Sequence, residues 1–179
     1  MFKFRAAYFY FLAVKVILIK FLRNIYFSTN YYNKSLKTKL PEQLYFYPNP
    51  FLLSSFINQK TFTFKLSKVN IDTFWDAFET QKEEEDLNNF FWLNLINRKN
   101  DGLIIQQIIT IWIKNNSKLK KNNWNNSNIS KRILAWILNA DIIFSNADQN
   151  FKKIFFNSII IQTNHLKKKL NYENDPVKK

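Results

Sequence analysis

The chain has 179 residues, one Gly, one His, no Cys and a formal net charge of +14. A single glycine, Gly102, excludes the Gly-rich dinucleotide fingerprint and the phosphate-cradling P-loop, and the lack of cysteine excludes a disulfide framework, Cys-ligated zinc or iron–sulfur centres and a thiol nucleophile. With His165 alone the HExxH and three-His metal sites fall too, so neither metal nor cofactor is expected in a length that allows one domain with a sizeable core.

Residues 1–27 read as a basic, apolar helix in which Lys3, Arg5, Lys15, Lys20 and Arg23 interrupt an aromatic and aliphatic run. Its longest uncharged stretch, Ala6 to Val14, is far short of the ~20 residues a bilayer span needs. Placing Lys15 and Lys20 within a span would cost roughly 2.5–3.5 kcal/mol each. No A-x-A-like cleavage site follows, so a secretory signal peptide fits poorly. Three readings stay open: a helix packed on its own domain, a helix lying on an anionic membrane surface, and a signal anchor. Residues 1–70 carry a net +10 and residues 71–179 a net +4, so the basic character belongs mainly to the first third. Lysine supplies 23 of the 27 basic residues, and its enrichment alongside Asn, Ile and Phe is what A/T-rich codons would give.

Residues 28–70 change texture. Pro41, Pro48 and Pro50 punctuate them, and Leu44–Tyr47 and Thr61–Leu66 alternate with a period of two. The reading is a small β element leading into a helical body, with an ordered loop draped over that body as the alternative.

From residue 71 to residue 170 the period is helical. Phe74, Trp75, Phe78, Leu87, Phe91, Trp92 and Leu95 fall at three- and four-residue steps and predict one long amphipathic helix. Asn100-Asp101-Gly102 breaks it, and Asp101 is placed to cap a second helix whose stripe is Ile104, Ile105, Ile108, Ile109, Trp112 and Ile113. After an Asn/Lys-rich loop, Ser130 is placed to open a third helix carrying Ile133, Leu134, Trp136, Ile137 and Leu138. A fourth follows Ser145-Asn146, with Phe151, Ile154, Phe155, Ile159, Gln162 and Leu166. The fold class is therefore mainly α, with four antiparallel helices in two hairpins as the simplest arrangement and residues 171–179 as a disordered tail.

Chemistry is sparse in this body. His165 is the only side chain there that titrates near neutrality, and general acid–base work needs a second poised group within reach. A lone histidine on a helix is ordinarily a satisfied polar group. Glu83-Glu84-Glu85-Asp86 occupy consecutive positions that point about 100° apart, which marks a solvated face rather than paired carboxylates. Basic residues between aromatics suggest nucleic acid, yet there is no helix-turn-helix glycine, no ribonucleoprotein signature and little Arg for base readout, so no nucleic-acid partner is expected. The most informative set is Trp112, Trp124, Arg132 and Trp136. Trp124 sits among asparagines with little apolar company nearby, whereas Arg132 and Trp136 share a helix face at i,i+4. Indole faces stack on sugars and Arg donates bidentately to carboxylates, which points to an acidic carbohydrate; simple helix packing is the alternative.

The run Phe74-Trp75, Asp86-Leu87-Asn88-Asn89-Phe90-Phe91-Trp92-Leu93, Trp112-Ile113, Trp124, Arg132-Ile133-Leu134-Ala135-Trp136-Ile137, then Phe151, Phe155, Ser158, Gln162 and His165-Leu166 resembles the N-terminal helical domain of heparinase II/III-family proteins. There a tryptophan-led helix is followed by a loop Trp, an R-[IL]-x-x-W motif and a Q-x-x-H-L motif, and the Pro41–Pro48 lead-in is similar as well. The resemblance covers roughly residues 40–170. It implies helical hairpins forming part of an incomplete α/α toroid, followed in full-length bacterial members by a β-sandwich. Such proteins are polysaccharide lyases that cleave uronic-acid-containing glycans by β-elimination, using Asn, Tyr and His in later helices and in the sandwich. No position here matches those catalytic groups.

The expectation is therefore a truncated, lyase-like helical part, inactive alone, with an acidic polysaccharide as partner and a separately encoded C-terminal half as a second. Trp124, Arg132, Trp136 and His165 are the candidate substrate-binding residues, and none is assigned as catalytic. The alternative is a non-enzymatic module that uses the basic N-terminal helix on an anionic membrane surface or a protein. Either reading places the chain in the cytoplasm or at the periphery of the inner membrane, with the periplasm left open.

Overall fold

A computed structural model describes residues 2–39, 74–75, 80–95, 102–117, 119 and 123–174. The described residues are mainly helical and include no strand. The β element expected within residues 28–70 rests on residues 44–47 and 61–66, which lie outside the described residues, as does the expected cap Asp101. The chain divides into two compact units, residues 1–36 and residues 37–179.

The first unit is α1 (Phe2–Ser28) and α2 (Asn30–Ser35). With neither Gly nor Pro, α1 runs uninterrupted until Thr29 leaves helical geometry and caps α2. The Thr29 Oγ1 accepts from the Tyr32 N–H at 3.1 Å while donating to the Tyr26 carbonyl at 2.7 Å, so one hydroxyl closes the first helix and opens the next. Tyr26, Phe27 and Tyr32 stack around that turn with centroids 4.8 to 5.9 Å apart. A short helix thus occupies residues 30–35, at the start of the segment expected to lead into the helical body.

The second unit begins its described helices with α3 (Gln81–Asn88), followed by a 3-10 turn (Phe91–Leu95). This corrects the single long helix expected between Phe74 and Leu95. Thr80 starts α3 through a capping box with Glu83: the Glu83 N–H donates to the Thr80 Oγ1, and the Thr80 N–H donates to the Glu83 carboxylate, both at 3.2 Å. Two of the four acidic residues, Glu83 and Glu84, sit in the first turn, where the helix dipole favours negative charge. Phe90 ends the helix with φ of 61°, a left-handed conformation that a bulky residue adopts only under constraint.

Next come α4 (Gly102–Asn115), α5 (Asn126–Leu138), α6 (Ala140–Ile143) and α7 (Gln149–Asn174). Ile105, Ile108, Ile109 and Trp112 of the α4 stripe are buried as the spacing predicts, with Ile104 and Ile113 half-buried; on α5 the buried face is Ile129, Arg132, Ala135, Trp136 and Leu138, and the expected Ile133, Leu134 and Ile137 are half-buried. Helix α5 opens at Asn125, whose side chain accepts from the Asn128 N–H at 2.7 Å, and not at Ser130, which lies inside the helix and donates to the Ser127 carbonyl. Helix α7 continues through Asn174, past the point where a disordered tail was expected to start. It packs against both α4 and α5, and the core forms between these three helices, the 3-10 turn and α6.

Candidate functional site

Trp124, Arg132, Trp136 and His165 come together in the core of the second unit, and all four are buried. The expectation that Trp124 exposes its indole is therefore corrected. Its local sequence is polar, but its company comes from α4 and α7: the ring lies 6.3 Å from Trp112 and meets His165 edge-on at 5.5 Å. Apolar neighbours distant in sequence supply what the asparagine loop lacks.

Arg132 is the centre of the arrangement. It is 0% exposed, and its guanidinium donates in three directions: Nε to the Gln162 Oε1 at 2.6 Å, one terminal nitrogen to the Asn88 carbonyl at 2.8 Å, and the other to the Asn123 carbonyl at 3.1 Å. The Cζ sits 4.1 Å from the centroid of the Trp112 ring and 5.8 Å from that of Trp124. A buried cation is tolerated only when its lost hydration is replaced, and here carbonyl dipoles replace it in the guanidinium plane while indole π-faces do so outside it. Burial nonetheless lowers the guanidinium to about 9.

The three acceptors are held in turn by further bonds. The Gln162 amide donates to the Ser158 Oγ at 3.1 Å, one turn earlier on α7. Asn88 accepts the Trp112 indole N–H on its side-chain oxygen at 2.7 Å and donates to the Glu84 carbonyl. Asn123 donates to Asn116 at 2.7 Å, and Asn116 to the Trp112 carbonyl at 3.0 Å. One arginine thereby ties the end of α3, the end of α4, the following loop, α5 and α7 into one polar network. Trp136 joins through Trp112, 5.7 Å away and perpendicular, and through Phe90 at 5.2 Å.

His165 lies one turn beyond Gln162 on α7. Burial lowers its imidazole to about 4, helped by the cationic Lys169 and Lys168, while a hydrogen bond to the Trp124 backbone acts in the opposite sense. The Trp124 carbonyl also accepts from the Lys169 ammonium at 3.0 Å. A neutral imidazole in this position braces the loop onto α7.

Sequence reasoning singled out Arg132 and the tryptophans but missed Asn88, Asn116 and Asn123, which supply or fix the acceptors. It also missed Gln106, whose side-chain amide crosses from the isoleucine stripe of α4 to the Ile143 and Ser145 carbonyls at 3.0 and 2.9 Å. The available signal was a polar amide on an otherwise apolar helix face, which is costly unless it has a partner. The arrangement defines a helical protein organised around a buried, carbonyl-satisfied arginine. Comparison with family models, curated proteins and solved structures finds no match. No helix among the described residues is long and apolar enough to cross a membrane.

Proposed function

We propose that this chain is the helical part of a heparinase II/III-like polysaccharide lyase, contributing hairpins of an α/α toroid to an enzyme that cleaves uronic-acid-containing glycans by β-elimination. What supports the reading is one observation. The residues that carry the resemblance, Trp112, Trp124, Arg132, Trp136, Gln162 and His165, are scattered over three helices and a loop yet form one connected cluster, with Gln162, Trp112 and Trp124 about the Arg132 guanidinium, Trp136 packed on Trp112 and His165 on Trp124. A motif set with a common structural purpose converges in this way, whereas chance matches have no reason to.

Their burial supports a positioning role for these residues within that reading. Buried as they are, they hold the helices in place, and glycan contacts belong to surface groups of the assembled enzyme. Proton abstraction next to a uronate needs a base that is both accessible and poised, and a buried imidazole held near pKa 4 by burial and two lysines does not meet that need. Alone, the chain is expected to give no unsaturated-uronate absorbance on any uronic glycan.

The test begins with the nucleotide sequence adjoining this reading frame. An adjacent frame encoding further helical hairpins and a β-sandwich, whose product together with this chain releases unsaturated uronate, supports the reading. A locus without such a frame, or a combined preparation silent on alginate, pectate and heparan sulfate alike, overturns it. Turnover by the chain alone overturns the positioning role.

A further inference from the structure

Helix α1 presents large apolar side chains to solvent, with Tyr10 at 75%, Phe11 at 67%, Ile17 at 66% and Phe21 at 60% exposure. At about 100° per residue, Tyr10, Phe11, Val14, Ile17, Leu18 and Phe21 fall in one continuous arc. Arg5, Lys15, Lys20 and Arg23 fall in the opposite arc, interleaved there with the exposed Tyr8, Phe9, Val16 and Ile19, whereas the position of Lys3 falls by the same spacing in the first arc; no acidic residue precedes Glu42 in the chain. The helix is about 40 Å long, so the apolar face is extended, well beyond the isolated exposed residues ordinary for a protein surface.

We infer that α1 binds an anionic lipid surface, lying in the plane of the headgroup region with Tyr10, Phe11, Ile17 and Phe21 inserted. Charge complementarity selects this occupant. A lipid surface takes both faces at once: the apolar arc enters the acyl boundary, while the long Lys and Arg side chains reach back to the phosphates. A second copy of α1 could cover the apolar arc but would leave both sets of five cations without an acidic residue on either helix to pair them. A soluble polyanion would engage the cations and leave the apolar arc in water. A membrane-spanning placement of α1 fails because Lys15 and Lys20 fall within it, and no helix among the described residues is long and apolar enough to cross. Because α1 belongs to a unit distinct from the arginine centre, lipid binding and the glycan reading hold or fail separately.

The full chain is sedimented with vesicles of phosphatidylcholine alone and with vesicles of equal parts phosphatidylcholine and phosphatidylglycerol. Pelleting with the anionic vesicles only, declining as salt is raised, is the expected result. Replacing Lys15→Gln together with Lys20→Gln lowers affinity by roughly thirtyfold, from about fivefold for each charge removed at the surface. Phe11→Asn with Leu18→Asn, which leaves net charge unchanged, abolishes pelleting. All five tryptophans lie beyond residue 36, so unchanged tryptophan fluorescence certifies that the second unit stays folded in each variant. Three outcomes overturn the inference: equal pelleting with neutral and anionic vesicles, salt-insensitive binding of the unaltered chain, or an F11N/L18N variant that pellets undiminished. A concentration-dependent oligomer dissolved by F11N/L18N, without vesicle binding by the unaltered chain, overturns it in favour of self-association.

Discussion

At the scale of single residues, the decisive quantity is how a buried cation is compensated. Arg132 has carbonyl oxygens as its hydrogen-bond partners, so removing the charge does not remove the need that the carbonyls have for donors. Arg132→Met keeps most of the volume but strands three acceptors, each worth about 1–3 kcal/mol when buried unsatisfied. We expect a loss of at least about 3 kcal/mol in urea denaturation, with Arg132→Lys intermediate because one ammonium cannot reproduce a planar fork. A stabilised Arg132→Met protein would mean that desolvation of the charge outweighs its bonds, and the account of the centre would fail. The tryptophans allow a sharper comparison. The Trp112 N–H is bonded to Asn88, whereas the buried Trp136 N–H has no acceptor among the described residues. Trp112→Phe is therefore expected to cost about 1–2 kcal/mol more than Trp136→Phe, the excess being the stranded Asn88 oxygen and the weakened π-face over Arg132. Equal costs would assign both residues to packing alone.

At the scale of elements, the break at Phe90 is the most informative feature. Its left-handed backbone costs on the order of 1–3 kcal/mol, and it persists because the ring is packed among Trp75, Trp92, Trp112 and Trp136 at centroid distances of 5.2 to 5.8 Å. Phe90→Ala is expected to cost about 3–5 kcal/mol by loss of that packing. Phe90→Gly should be no worse than Phe90→Ala, reversing the usual order, because glycine takes positive φ without penalty. A glycine variant clearly less stable than the alanine variant in thermal unfolding would show that the backbone there is unstrained. Thr80→Ala, which removes one half of the capping box, should cost about 1 kcal/mol. These elements show what a sequence makes legible. The stripes of α4 and α7 were readable because burial repeats at the helical period. The break at Phe90 was not, since the apolar spacing continues through it and the turn is held in part by Trp112 and Trp136, distant in sequence. The start of α5 was displaced because Asn125 and Ser130 are both good caps and local sequence does not rank them. Trp124 was misjudged for a related reason: a window of neighbours cannot see Trp112 and His165. The acidic run, expected on a solvated face, has Glu83 and Asp86 exposed and Glu84 and Glu85 half-buried, and its capping role appears only once Thr80 is set at the N-cap.

At the scale of the whole molecule, stability is coupled to pH through the buried imidazole of His165. His165 titrates near 4 in the folded protein, against about 6.5 for an exposed imidazole in the unfolded chain. Between those values the unfolded chain binds the proton and the folded chain does not, so unfolding takes up a proton and stability rises with pH. The contribution is therefore fully present above about pH 6.5 and is lost as pH falls through 4. Its size is on the order of 2–3 kcal/mol, enough to matter against the few kcal/mol by which single domains are stable. Carboxylates titrate in the same interval, so the absolute pH profile does not isolate the histidine; the difference between the unaltered chain and a His165→Gln variant does. Measured by chemical denaturation, the variant should lose less stability than the unaltered chain between pH 7 and pH 4, with the two profiles parallel above pH 7. Lys169→Met supplies an independent check: removing that neighbouring cation raises the imidazole pKa in the folded protein, so the loss begins at the same pH on acidification but ends at a higher pH and is smaller in total. Identical slopes in all three proteins would place His165 in a more solvated setting than its burial against Trp124 and Lys169 implies.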